Sequence, residues 1–282
     1  MEESNIRLQA IGAPFNLEQS SCGTRVPRYF KWTSQDQKTK VFIDHALHCN
    51  LNGNPDGRYG WTCESKAIAP NVIQNIKNNI DIYKKHYLKI FTFDEELVSM
   101  DSSFFNYCYP GSNTPWTPEE DYGLHEKNKL VSFLCSNNSM TEGHRFRLNW
   151  AERLKDQVDL YGGACGSQII GGSHWYHHRK KTEALKDYMF SITIENNVTD
   201  CYFTEKLTDC FANSVVPVYR GSKNICRHFD ANGIIFLEDD FDVSRLSSDL
   251  YYSKLDSVKR NLEIVKKMNT ADDFLYLKIM NI

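Results

Sequence analysis

The sequence predicts an α/β protein with parallel strands, on three observations. Short apolar runs alternate along the chain with stretches of helical periodicity, which is the order of β-α-β units. Several of those runs are β-branched or aromatic and nearly continuous in hydrophobicity, as strands covered on both faces must be. The chain has 282 residues, 41% hydrophobic and 24% charged, enough to bury the core of two modest α/β domains or one large one.

In chain order, the first clear strand is expected at 40–47 (KVFIDHAL), with Asp44 and His45 at its end. The segment 50–59 (NLNGNPDGRY) is dense in Asn, Gly, Pro and Asp and reads as turns. A second strand is expected at 88–93 (LKIFTF). The segment 109–122 carries three prolines and closes on an acidic run; a domain boundary is expected at its end, dividing 1–125 from 126–282. Further strands are expected at 130–136, 158–162, 188–196, 215–221 and 233–237, each a short apolar run. The segment 251–282 reads as helix, with Leu255, Val258, Leu262 and Val265 spaced three or four apart. No internal repeat is present.

Composition narrows the function. A net charge of -3 argues against a general binder of nucleic acid or of anionic membranes. No apolar run is long enough to span a bilayer, and the N-terminus begins acidic rather than basic-then-apolar as a signal peptide does. Nine cysteines without a C-x-x-C pair read as buried reduced thiols. Together these predict a soluble, cytoplasmic protein of a reducing compartment. The sequons at Asn137 and Asn197 then carry no glycan.

The most informative stretch is YMFSITIENNVTDCYFTEKLTDCFANSVVPVYRG, residues 188–221. A buried strand ends there in the polar cluster Glu195, Asn196 and Asn197, and ligands of open α/β sheets bind beyond the carboxyl ends of strands. Thr204 reads as the N-cap of a helix with Leu207, Cys210 and Phe211 on its inner face. A helix N-terminus offers free N–H groups and positive potential, which suits a diphosphate. Lys206 in the first turn opposes the helix dipole, a cost that makes sense beside an anion. Glu205 could accept hydrogen bonds from a ribose diol. The next strand ends at Arg220-Gly221, where glycine permits close backbone approach. Taken singly, Glu205 and Lys206 are ordinary helix-start residues; taken in order, the pattern describes a nucleotide-like ligand site.

This stretch resembles the signature region of the α-1,3-fucosyltransferase family. There a strand ending F-E-N-S is followed by Y-x-T-E-K-[LI], a helix, and [VI]-P-[VI]-x-x-G. The corresponding residues are Ile194-Glu195-Asn196-Asn197, Tyr202-Phe203-Thr204-Glu205-Lys206-Leu207 and Val216-Pro217-Val218-Tyr219-Arg220-Gly221. Upstream, residues 129–162 resemble the family's strand ending S-N, an Arg opening a helix, and a strand ending V-D-x-Y/S-G. Lys181, Leu185 and Tyr188 match a K-x-x-x-L-x-x-Y lead-in. The resemblance implies two Rossmann-like domains facing across a cleft, the GT-B type of glycosyltransferase, acceptor side first and donor side second, with the last helices returning to the first domain. It implies that Arg147 and Lys206 hold the donor diphosphate, with Arg145 a near alternative to Arg147. Asn196, Tyr202 and Glu205 would line the nucleoside and sugar pocket. An Arg suits a diphosphate because its planar fork donates paired, charge-assisted hydrogen bonds.

Inverting transfer also needs a base for the acceptor hydroxyl. Glu64 lies in CESKAIAPN, which looks like the family's G-E-N-x-x-P-N stretch upstream of a strand ending F-D; the neighbours of Glu64 depart from that pattern. Asp44 and His45 are rivals for the base, although a strand-end Asp or His is as often a hydrogen-bonding residue. The basic, aromatic segment 175–180 could touch acceptor or phosphate, or be a solvated turn. A D-x-D at Asp240 and Asp242 could hold a metal in a transferase of another architecture. The expected activity is inverting, metal-independent transfer of fucose, or of another sugar such as xylose, from a GDP or UDP donor to an oligosaccharide or glycoprotein hydroxyl. No cofactor beyond the nucleotide sugar is implied. The alternative is a non-catalytic nucleotide- or glycan-binding module on the same fold.

Overall fold

The computed structural model describes residues 6–23, 25–163 and 178–281. The chain forms two compact units, the first made of 1–113, 200–202 and 269–282, the second of 114–199 and 203–268. Each is an α/β layer structure on a wholly parallel sheet, so the fold class is the one the sequence predicts.

The first unit holds six strands: β1 (Arg7–Ile11), β2 (Lys31–Thr33), β3 (Lys40–Ile43), β4 (Arg58–Trp61), β5 (Lys89–Thr92) and β6 (Phe105–Tyr107), in the order β2-β1-β3-β4-β5-β6. Side chains alternate across the sheet, and each face has its own cover. Val41, Ile43, Trp61 and Phe91 pack on one face with Leu275 and Ile279. Phe42, Ile90 and Phe105 pack on the other with Val72, Ile73, Ile76 and Leu97. Val72, Ile73 and Ile76 come from α2 (Pro70–Asn78), which follows α1 (Ala46–Cys49) and precedes α3 (Ile80–His86) and α4 (Glu95–Met100).

The second unit holds β7 (Lys129–Leu134), β8 (Asp159–Tyr161), β9 (Tyr188–Ile194), β10 (Val216–Arg220) and β11 (Ile235–Phe236), in the order β11-β10-β9-β7-β8. Its main core joins Val131, Phe133, Phe190, Ile192, Val216 and Val218 to Trp150 and Leu154 of α5 (Glu142–Leu154). After α6 (His178–Glu183) and α7 (Glu205–Ala212), the long α8 (Ser248–Lys267) adds Tyr251 and Val258 to the same core. In both sheets the strand order reverses after the first strand, between β1 and β3 and between β7 and β9, and such switch points open crevices at the carboxyl edge.

All seven predicted strands are present, trimmed at their ends. Four others, β1, β2, β4 and β6, lie outside the predicted runs. Arg58 and Tyr59 belong to β4 rather than to the turn predicted over 50–59. The C-terminal helix is two: the chain breaks at Met268, and Thr270 caps α9 (Ala271–Met280) by accepting from the Asp273 amide at 3.1 Å. The first of these helices belongs to the second unit and α9 to the first. Its buried Asp272 accepts from Trp32 Nε1 at 2.7 Å and from the Ser21 hydroxyl at 2.6 Å. The eight described cysteines are free, six buried and two exposed. Among the described residues no helix is long and apolar enough to cross a membrane.

Candidate active site

In the second unit the carboxyl edge of β7 and β9 gathers most of the predicted donor residues. Helix α5 begins there because Thr141 caps it: the Thr141 hydroxyl accepts from the His144 amide at 3.1 Å, and His144 Nδ1 accepts in return from the Thr141 amide at 3.3 Å. The same hydroxyl donates to the Asn196 carbonyl at 3.1 Å, tying the helix start to the end of β9. Gly143 makes that approach possible, since a Cβ there would lie 2.4 Å from the Asn196 carbonyl oxygen. On the next turn, Arg147 is only 4% exposed, and its Nη2 donates to Ser136 Oγ at 2.8 Å. Arg147 Nε and Asn196 Oδ1 are buried with no hydrogen-bond partner among the described residues. Such orphans are rare and costly in native interiors, and a bound ligand is one thing that satisfies them.

Below this rim lies a chain of buried charges. Thr204 caps α7, and Glu195 grips the cap, accepting from the Thr204 amide and hydroxyl at 2.8 Å each. The Lys206 ammonium lies 3.1 Å from Thr204 Oγ1, 3.2 Å from Glu205 and 3.7 Å from Glu195. The cation that was out of place at a helix start therefore has carboxylates of its own beside it. Its side chain keeps 29% exposure, so the charge remains open to a ligand. Lys181 extends the chain, 3.4 Å from Glu205 and 2.7 Å from Asp209 Oδ2. Asp209 Oδ1 in turn accepts from the Trp116 and Thr117 amides at 2.7 and 2.9 Å. Burial alone would raise the Glu205 carboxyl, but Lys206 and Lys181 outweigh it and hold its pKa down to about 2. Burial pushes Glu195 the other way, up, against the opposing pull of Lys206.

Glu64 and Tyr202 belong to the first unit. Glu64 is half-buried just past β4, in the segment between that strand and α2. Asp44, past the end of β3, accepts from the Cys63 amide at 2.8 Å and from the Glu64 amide at 3.2 Å. Burial, with the Glu64 charge adding to it and the two amides opposing, raises Asp44 to about 7. Its oxygens face inward, at 6% exposure. Phe93-Asp94 ends the β5 stretch; Asp94 caps α4 and pairs with Lys66. Tyr202 is 4% exposed with its ring 5.4 Å from Phe93, a core packing rather than an open wall.

Of the other candidates, Asp242 commits both carboxylate oxygens to Ser244, capping the turn at Val243–Arg245. Arg145 Nη1 donates to the Ser139 carbonyl at 3.1 Å on the exposed side of α5, so Arg147 is the inward-facing one of the two. In the segment 175–180 the first three residues and the side chains of the rest lie outside the described residues. Sequence reading missed Ser136, the Thr141–His144 cap and the Lys181–Asp209 pair. A cap written T-x-x-H lacks the usual acidic third residue, and Lys181 and Asp209 lie 28 residues apart, beyond any local pattern.

Residues 124–262 match the family model of glycosyltransferase family 10 (fucosyltransferase), C-terminal domain. That match takes in a little under half of the chain. Every site element of the second unit described above except Trp116 and Thr117 falls inside that span. An alpha-(1,3)-fucosyltransferase of Helicobacter pylori is 26% identical to this chain over 113 residues, 40% of the chain and 22% of that protein. A putative fucosyltransferase of Acanthamoeba polyphaga mimivirus is 23% identical over 262 residues, 81% of the chain and 41% of the viral protein. An alpha-(1,3)-fucosyltransferase of Caenorhabditis elegans is 22% identical, covering 85% of the chain and 61% of the other. The chain thus spans from about a fifth to three fifths of these relatives' length. Two solved structures of alpha1,3-fucosyltransferase, one with GDP and one with GDP-fucose, share the fold at a TM-score of 0.54 and 13% identity. They cover 95% and 94% of this chain and are themselves covered to 92% and 91%.

Proposed function

We propose that this protein transfers a sugar, fucose first among the candidates, from a nucleoside diphosphate to a glycan hydroxyl with inversion. The observation that carries this reading is the rim of the second unit. It holds a buried Arg147 Nε and a buried Asn196 Oδ1, both without a partner among the described residues, and a partly exposed Lys206, all within the span matched by the family model. Arg147, Lys206 and the capped start of α5 would meet the negative charge that grows on the diphosphate as the anomeric C–O bond breaks. Asn196 and Glu205 would orient the nucleoside and sugar. The acceptor oxygen forms the new bond to the anomeric carbon from the opposite face, and its proton goes to Glu64. No step draws on a metal ion. Related proteins were solved with GDP and GDP-fucose, which favours a guanosine donor; a uridine donor of xylose is the next to test.

A thermal-shift panel of GDP, UDP, GDP-fucose and UDP-xylose, with and without EDTA, tests the reading. A ligand that binds only the folded state at 100 times its Kd adds about 2.7 kcal/mol of stability. The expected result is the largest shift with GDP-fucose, unchanged by EDTA. No shift with any of the four sinks the proposal.

Arg147→Ala refines it. Charged hydrogen bonds contribute about 1.5–3 kcal/mol each, so GDP affinity is expected to fall about 10- to 100-fold. Isothermal titration on a variant with wild-type circular dichroism reads this directly. A Kd within twofold of wild type removes Arg147 from the donor site.

A further inference from the structure

The turn that leaves β3 is a costly place for a carboxylate. Asp44 stands at φ 47°, in the left-handed region where only glycine is at ease and Asp or Asn is tolerated. Its side chain is buried, and desolvating an acid costs free energy unless hydrogen bonds compensate. A turn by itself would be served by glycine. The compensation lies elsewhere in the sheet. Asp44 Oδ1 accepts from the Cys63 amide at 2.8 Å and the Glu64 amide at 3.3 Å, while Oδ2 accepts from the Glu64 amide at 3.2 Å. The acid is thus turned away from its own turn and onto the exit of the neighbouring strand β4.

The rest of that exit is held as firmly. Thr62 Oγ1 donates to Thr92 Oγ1 at 2.7 Å, and the Cys63 carbonyl accepts from the Gly111 amide at 2.9 Å. Gly111 has no room for a side chain, because a Cβ there would lie 2.4 Å from Cys63 Sγ. The backbone on the N-terminal side of Glu64 is therefore fixed from three directions, and Asp44 is the only one of these groups that grips the Glu64 amide itself.

We infer that Asp44 is a positioning residue for Glu64, clamping the Cys63 and Glu64 amides so that the Glu64 carboxylate points in one direction toward the acceptor hydroxyl. The inference rests on the reading of Glu64 as the base. Asp44 itself, buried behind the segment, does not touch substrate. A misdirected base costs rate without changing donor binding, since a displacement of about 1 Å can cost about 100-fold.

A double-mutant cycle on the full chain tests this, with kcat and KM for GDP release from GDP-fucose as readouts. Asp44→Ala is expected to lower kcat about 10- to 100-fold with KM unchanged. Asp44→Asn restores most of it, because the amide oxygen still accepts from Cys63. Added to Glu64→Gln, Asp44→Ala is expected to cost nothing further, because no base remains to be aimed. Amide hydrogen exchange at Cys63 and Glu64 should quicken in Asp44→Ala and not in Asp44→Asn. If Asp44→Ala fails to fold, Asp44→Asn and Asp44→Ser carry the cycle. An equal loss in the wild-type and Glu64→Gln backgrounds overturns the positioning role while leaving Glu64 as base. No GDP release from wild type, or no loss in Glu64→Gln, overturns the base assignment on which the inference stands.

Discussion

Glu64→Gln is expected to lower turnover of the nucleotide sugar by about 10²–10⁴-fold, the usual worth of a general base, and to leave nucleotide affinity where it was. Glutamine keeps the volume and one hydrogen-bonding oxygen of the glutamate and loses only the capacity to take a proton. The segment carrying Glu64 belongs wholly to the first unit, and its anchors are Asp44, Thr92 and Gly111 of that unit. Arg147, Asn196, Glu205 and Lys206 belong to the second. The substitution therefore leaves the hydrogen bonds around the proposed phosphate site intact. Measured together, GDP titration and GDP release separate an enzyme from a binding module that keeps its pocket without turning over. Release within threefold of wild type would show that another group takes the proton, and Asp44→Asn would then be the next variant to measure.

How far the sequence led depends on the range over which each feature is encoded. The strands of the second unit were legible because their apolar runs are at least five residues long in the sequence and most end in polar clusters. Thr204 was legible as a cap because capping is local: the side chain bonds the Lys206 amide two residues away. The strands β2 and β6, three residues each, are made by the sheet around them and carry no periodicity of their own. The break at Met268 is similar, since apolar spacing continues across it into α9 and only the Thr270 cap marks the restart. Site residues divide the same way. Lys206 raised the question of its anion, but the answer includes Glu195, eleven residues back at the end of another strand. Tyr202, matched by motif, sits in the core of the first unit against Phe93, a placement set by tertiary packing that no local pattern reports.

The largest structural effect is expected from Lys181→Met. Lys181 lies between Asp209 and Glu205, with its side chain 12% exposed and its ammonium 4.6 Å from the centre of the Trp116 ring. Methionine fills the same space and leaves two buried carboxylates short of a cation, and removing one partner of a buried pair costs about 3–5 kcal/mol. The melting temperature should fall on the order of 10 °C. The acid limb should move as well. In the wild type Glu205 is held at about 2 against an ordinary 4.5. Its contribution to stability is therefore complete above pH 4.5 and lost as the pH falls toward 2. Without Lys181, only Lys206 and the Thr204 hydroxyl oppose burial, the Glu205 carboxyl takes its proton at higher pH, and acid unfolding should begin earlier. A second substitution separates charge from shape. In Asp209→Asn the amide oxygen can take the place of Oδ1, which serves the Trp116 and Thr117 amides, while the nitrogen replaces the oxygen that faced Lys181. Lys181→Met with Asp209→Asn should therefore recover part of the lost stability, which an unpaired charge predicts and a packing defect does not. Urea denaturation of the three variants at pH 7 and pH 5 decides the matter, and a Lys181→Met loss below about 1 kcal/mol, the worth of an exposed pair, would remove the buried charge chain from the account of this unit.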